Sequence, residues 1–154
     1  MEINQLNLGS DKINTPKLNE LYSQFQEILE KLNDKKLPSE AVQYVNDIVE
    51  QTNSTALQDK ALLKFLKDKQ DLVIKYLEKE HKIVPKNYYK KLWLAVGMTA
   101  FGLPIGVLFG LLMKNMGLMA IGLPIGLGVG AAVGSSMDKK ALEEGRQIDV
   151  EMKF

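Results

Sequence analysis

The chain has no cysteine, one histidine and one tryptophan among its 154 residues. Without cysteine there can be neither disulfides nor thiolate metal sites, and a lipoprotein acylated on an N-terminal cysteine is excluded. His81 has no second histidine at ligand spacing, so it reads as a surface residue rather than a metal ligand. An excess of charge is missing too. The net charge is +1, and residues 1–91 hold 15 Lys against 14 Asp plus Glu, which leaves no clustered positive footprint for nucleic acid. There is no P-loop, no GxSxG elbow and no pair of carboxylates at a recognisable spacing. No catalytic residue, cofactor, metal or small-molecule substrate is therefore expected, and the chain reads as a non-enzyme. The opening Met-Glu-Ile-Asn-Gln-Leu-Asn-Leu lacks a basic n-region and an apolar h-region, which argues against a cleaved signal peptide.

Glycine, by contrast, is concentrated. Ten of the 12 glycines lie within residues 92–137, where Lys114 is the only charged side chain. Residues 92–113 and 116–137 are two uncharged runs of 22 residues. Each would be about 33 Å long as a helix, against a bilayer core of about 30 Å. Only Lys114 and Asn115 separate them, so the expected arrangement is an antiparallel two-helix transmembrane hairpin over residues 86–137. Lys86, Lys90 and Lys91 precede it and Lys139, Lys140 and Arg146 follow it, while Lys114 alone marks the turn. That bias places both termini in the cytoplasm and the protein in the cytoplasmic (inner) membrane. Tyr88, Tyr89 and Trp93 stand where amphipathic rings act as interfacial anchors.

The two runs repeat one another. Gly102-Leu103-Pro104-Ile105-Gly106 recurs as Gly122-Leu123-Pro124-Ile125-Gly126, and four-residue steps continue to Gly110 and to Gly130 and Gly134. Residues four apart share a helix face, so these glycines form two stripes that admit another helix to backbone contact. The stripes either close the hairpin on itself or present one face to another protomer or a partner's helix. Pro104 and Pro124 fall at nearly the same depth, giving two kinks that bend or line a waist or simply shape the packing. With the tail from Met137-Asp138-Lys139-Lys140-Ala141 to Glu144-Gly145-Arg146-Gln147, these repeats resemble small bacterial glycine-zipper two-helix membrane proteins. The resemblance covers the last third of the chain. It implies a two-helix membrane anchor and carries over no functional residues.

Residues 1–14 are polar and read as a flexible lead. Over 15–85 three amphipathic helices are expected. Thr15-Pro16 caps the first, whose stripe is Leu18, Leu21, Tyr22, Phe25, Ile28, Leu29 and Leu32, with coiled-coil-like spacing. Leu37-Pro38-Ser39 opens the second, carrying Ala41, Val42, Val45, Ile48 and Val49. Thr55, with Gln58 placed for a capping box, starts the third, carrying Leu62, Phe65, Leu66, Val73, Tyr76 and Leu77 to about Lys82. Residues 138–154 form a cytoplasmic tail.

The fold class expected is thus all-α: a cytoplasmic bundle of about three helices followed by the hairpin. Its partners are the lipid bilayer and either further copies of itself or another membrane or helical protein. The function expected is a non-enzymatic anchor or accessory subunit; the alternative is a homo-oligomeric pore assembled through the glycine stripes.

Overall fold

The computed structural model describes residues 2–9 and 12–152. The chain divides into two compact units, Met1–Pro85 with Ile148–Val150, and Lys86–Gln147 with Glu151–Phe154.

In the first unit the opening helix starts as its residues dictate. Thr15 is extended, at φ −123° and ψ 148°, and its hydroxyl accepts from the Leu18 N–H at 3.3 Å. Pro16 then takes the first helical position, where no N–H is required. Helix α1 (Pro16–Asn33) buries Leu18, Leu21, Phe25, Ile28, Leu29 and Leu32, the stripe read from the sequence with Tyr22 left half-buried at its edge. Helix α2 (Ser39–Asn53) buries Ala41, Val42, Val45, Ile48 and Val49, and α3 (Asp59–His81) buries Leu62, Leu66, Val73, Ile74 and Leu77. Both α1 and α2 pack on α3. One polar pair sits inside this core, with Gln70 Nε2 donating to Gln24 Oε1 at 3.1 Å. Phe65 and Tyr76 lie at the margin, Tyr76 stacked on Tyr44 with ring centroids 3.9 Å apart.

The third helix starts at Asp59, not at Thr55. The Thr55 hydroxyl accepts from the N–H of Leu57 at 3.3 Å, closing a local turn that competes with a helical start. At the other end Lys82 takes a left-handed conformation, with φ 56°. The Lys82 N–H bonds the Glu78 carbonyl at 3.0 Å and the Ile83 N–H bonds that of Leu77 at 3.2 Å, which satisfies two of the last free carbonyls.

Residues 2–9 belong to the stretch expected as a flexible lead. They form neither helix nor strand, yet Ile3, Leu6 and Leu8 are only 5%, 4% and 5% exposed. The side chains of α1 and α2 hold their backbone. Asn33 Oδ1 accepts from the Ile3 N–H at 2.8 Å while its Nδ2 donates to the Ile3 carbonyl at 3.3 Å. Gln26 Oε1 accepts from the Leu6 N–H at 3.0 Å, and the Tyr22 hydroxyl donates to the Leu6 carbonyl at 2.8 Å. From α2, Asn46 accepts from the Asn4 N–H at 2.7 Å and donates to the Glu2 carbonyl at 3.0 Å. Asn53 accepts from the Asn7 N–H at 2.6 Å and donates to the Gln5 carbonyl at 3.1 Å. An amide side chain carries both a donor and an acceptor, so it can replace a neighbouring strand one rung at a time.

The chain is mostly helical, but it is not purely so. Strands β1 (Val84–Lys86) and β2 (Gln147–Glu151) pair as a two-stranded sheet, with Val84, Ile148 and Val150 buried. Ile148 and Val150 alternate with exposed Asp149 and Glu151, the two-residue period of a half-buried strand. Part of the expected tail is therefore structured.

The second unit holds two long apolar helices. The first runs from Tyr88 to Leu112 as α4 (Tyr88–Gly97), a π turn (Met98–Gly102) and α5 (Leu103–Leu112). The second runs from Met116 to Glu143 as a 3₁₀ segment (Met116–Ile121) and α6 (Gly122–Glu143). At 25 and 28 residues, both are long and apolar enough to cross a membrane. Between them Lys114 adopts φ 51°, and Asn115 Oδ1 accepts from the Gly117 N–H at 3.0 Å, capping the second helix.

Candidate functional site: a glycine seam closed by Asp138

Glycine lets two helices meet backbone to backbone because no Cβ keeps them apart. In the second unit the two stripes face each other. A Cβ at Gly126 would lie 2.6 Å from the Gly102 nitrogen, one at Gly97 would lie 2.8 Å from the Gly130 Cα, and one at Gly134 would lie 2.6 Å from the Tyr89 carbonyl oxygen. Gly122 abuts Gly102 and Gly106 in the same way, and Gly130 abuts the Trp93 carbonyl. Residue numbers fall along one helix as they rise along the other. Gly110 differs in meeting side chains first, those of Met119 and Met116 at 3.0 and 3.2 Å, where the other seam glycines meet backbone. Gly128 has nothing within 4 Å and lies off the seam.

Gly97 is the seam residue that four-residue counting misses, because it precedes Gly102 by five. The π turn explains the step. A π turn bonds residues five apart, so five residues complete the turn that four complete in an α-helix. The Leu103 N–H bonds the Met98 carbonyl across this turn. Tyr89, Trp93, Gly97, Gly102, Gly106 and Gly110 thereby stay on one face, and all but half-buried Trp93 are buried. The turn sits directly before Pro104, whose ring would press on the carbonyl four residues back in a regular helix. Pro104 and Pro124 are both exposed, so neither lines the seam. Of the expected interfacial rings, Tyr88 and Trp93 are half-buried, while Tyr89 is 6% exposed and set edge-on to Tyr88 at 5.3 Å.

Continued by one more step of four, the second stripe reaches Asp138. It is 7% exposed, and its carboxylate accepts from the N–H groups of Tyr89 at 3.0 Å and Lys90 at 2.9 Å. These are first-turn amides of α4, which lack a helical partner and carry the positive end of the helix dipole. Asn87, before the helix, takes φ 57° and makes no side-chain cap, and its Nδ2 donates instead to Glu151 Oε1 at 3.1 Å. Asp138 thus caps α4 from α6, across the seam, and Gln147 Nε2 donates to the Asp138 carbonyl at 3.4 Å. Asp138 falls in the stretch expected as a tail, although its four-residue spacing from Gly134 continues the stripe.

The arrangement is chemically simple. Along the seam the glycines meet the backbone of the opposite helix, at Gly97, Gly102, Gly122 and Gly126 and at Trp93 and Met119, which suits close contact, with polar closure at one end. No protein-family model, curated protein or solved structure matches this chain.

Proposed function

We propose that this is a small integral membrane protein of the cytoplasmic membrane in which an antiparallel glycine-seam hairpin anchors a helical cytoplasmic domain, acting as a non-enzymatic anchor or accessory subunit. The outward face of the two apolar helices carries this reading. Only 22% and 17% of their most apolar stretches are buried, whereas a core helix of a soluble protein would be mostly buried. Leu108, Leu111, Leu112 and Met113 are 58%, 61%, 78% and 63% exposed, an apolar surface that water would penalise and lipid would accept. The lysines that flank the pair, against Lys114 alone at the turn, support cytoplasmic termini.

Since the chain has no native cysteine, topology can be read without background. Cysteines placed at the exposed positions Glu20 and Lys139 are expected to react with an impermeant maleimide from the cytoplasmic side, and one at Asn115 from the opposite side. Labelling of position 115 from the cytoplasm would overturn the orientation, and release of the protein by alkaline carbonate would overturn insertion itself.

A homo-oligomeric pore built through Gly122, Gly126, Gly130 and Gly134 is the weaker reading. Those glycines are already packed against Gly97, Gly102, Gly106 and the backbone of Tyr89, Lys90 and Trp93. Dye retention in liposomes at high protein loading is the expected result; release would favour the pore.

A further inference from the structure

The turn between the two apolar helices is rich in sulfur. Three of the seven methionines fall there at three-residue steps, Met113, Met116 and Met119, in a stretch whose only charged side chain is Lys114. The 3₁₀ segment gives that spacing a meaning it would lack in an α-helix. With three residues per turn, side chains three apart eclipse, so Met116 and Met119 stand one above the other. Both approach Gly110. A Cβ there would lie 3.2 Å from the Met116 Sδ and 3.0 Å from the Met119 Cγ, so the sulfur of one and the thioether arm of the other meet the same point of α5. Met113 follows Gly110 by three residues, at the end of that helix. It is 63% exposed, Met116 is 58% exposed and Met119 is half-buried. The missing side chain of Gly110 leaves room for two thioethers, and the exposure of Met113 and Met116 leaves the group open to solutes.

We infer that Met113, Met116 and Met119 form a thioether site for Cu(I). Lack of cysteine and of paired histidine excludes thiolate and imidazole sites but leaves thioethers, which are soft, neutral donors and select soft ions. No carboxylate lies in the turn to offset a divalent charge, and Lys114 adds a positive one, so the donor set suits a monovalent ion. Methionine has three rotatable bonds, so these side chains can close on an ion without moving the backbone. Thiolate, imidazole and carboxylate ligands must be deprotonated to bind, whereas a thioether has no proton to lose, so affinity should hold steady on acidification. Among the described residues no group of three or more His, Cys, Asp or Glu side chains is placed to hold a metal ion, so the turn has no rival of those classes. The site needs only the hairpin turn. Reversal of the proposed topology would change the side from which the ion arrives and leave the inference standing.

The test uses full-length protein in nanodiscs, with Ag(I) as a redox-inert probe and Cu(I) in competition with a chromogenic chelator. One equivalent of either ion is expected to bind, with little change between about pH 7.5 and about pH 5, a range in which an imidazole would protonate. X-ray absorption at the copper edge is expected to show a first shell of sulfur alone. Met116→Leu and Met119→Leu nearly conserve volume, and each is expected to weaken Cu(I) binding by about tenfold, while Met98→Leu in the π turn leaves it unchanged. A second measurement needs no variant. Bound Ag(I) is expected to shield Met113, Met116 and Met119, but not Met98, from peroxide oxidation to the sulfoxide, read by peptide mass spectrometry. Absence of stoichiometric binding by the unaltered protein, or equal oxidation of all four methionines with and without Ag(I), would overturn the inference. A first shell of nitrogen or oxygen, or binding lost on acidification, would place the ion elsewhere and overturn it as well.

Discussion

Replacing Gly130 by alanine is expected to destabilise the helix pair by about 1–3 kcal/mol, the usual cost of forcing a methyl into a closed contact. In an ordinary helix the same change would be favourable, by about 1 kcal/mol in water. Gly130 reverses the sign because the new Cβ would press on the Trp93 backbone, with the Leu94 Cα 3.1 Å away. Backbone cannot rotate aside as a side chain can, so the two helices must separate along their length. Gly128→Ala is the matched control, since its Cβ would meet nothing within 4 Å, and it is expected to be neutral or mildly stabilising. The measurement is unfolding in mixed micelles of increasing denaturing detergent, followed by fluorescence of Trp93, the single tryptophan, whose backbone forms part of the contact. Equal midpoints for Gly130→Ala and Gly128→Ala would mean that the glycines do not set the helix spacing.

Asp138→Ala is expected to cost about 2–4 kcal/mol. Each hydrogen bond to a charged group contributes about 1.5–3 kcal/mol net, and this carboxylate makes two. The sum is discounted because Lys90 is exposed, and water can replace part of what its amide loses. Tyr89 is buried and has no such recourse. Asp138→Asn keeps one acceptor oxygen and should cost about half as much, also losing the charge at the helix terminus. Hydrogen exchange distinguishes this from a general loss of stability. The Tyr89 and Lys90 amides should exchange faster in both variants, while amides in the middle of α6 change only with global unfolding. Unchanged protection at Tyr89 in Asp138→Ala would remove Asp138 from its role as a cap.

What could be read in the sequence was whatever repeats along one helix. The stripes of α1, α2 and α3 follow from side chains three and four apart, and the glycine stripes from steps of four. Gly97 escaped because the π turn adds a residue to one turn, and no pattern of period 3.6 anticipates it. Asp138 escaped because a charged residue after an apolar run reads as the end of a span, whereas its partners, Tyr89 and Lys90, are 49 and 48 residues away. Residues 2–9 escaped for a related reason. Their three apolar side chains are too few to mark an element, and the groups that order them are polar residues of α1 and α2, which a hydropathy reading assigns to solvent. Contacts between amide side chains and a distant backbone leave no local periodicity in either partner.

Gln26 and Asn33 on α1, like Asn46 and Asn53 on α2, are seven residues apart and bond backbone N–H groups three residues apart in residues 2–9, an advance of about 10.5 Å along the helix against about 10 Å for three residues of extended chain. The two advances differ by about half an ångström, roughly the whole tolerance of a good hydrogen bond. A second rung on each helix can absorb that error; a third and fourth would fall progressively out of phase unless the helices curved. Such a groove acts as a gauge, indifferent to most of the side chains that pass through it but strict about how many residues it can hold.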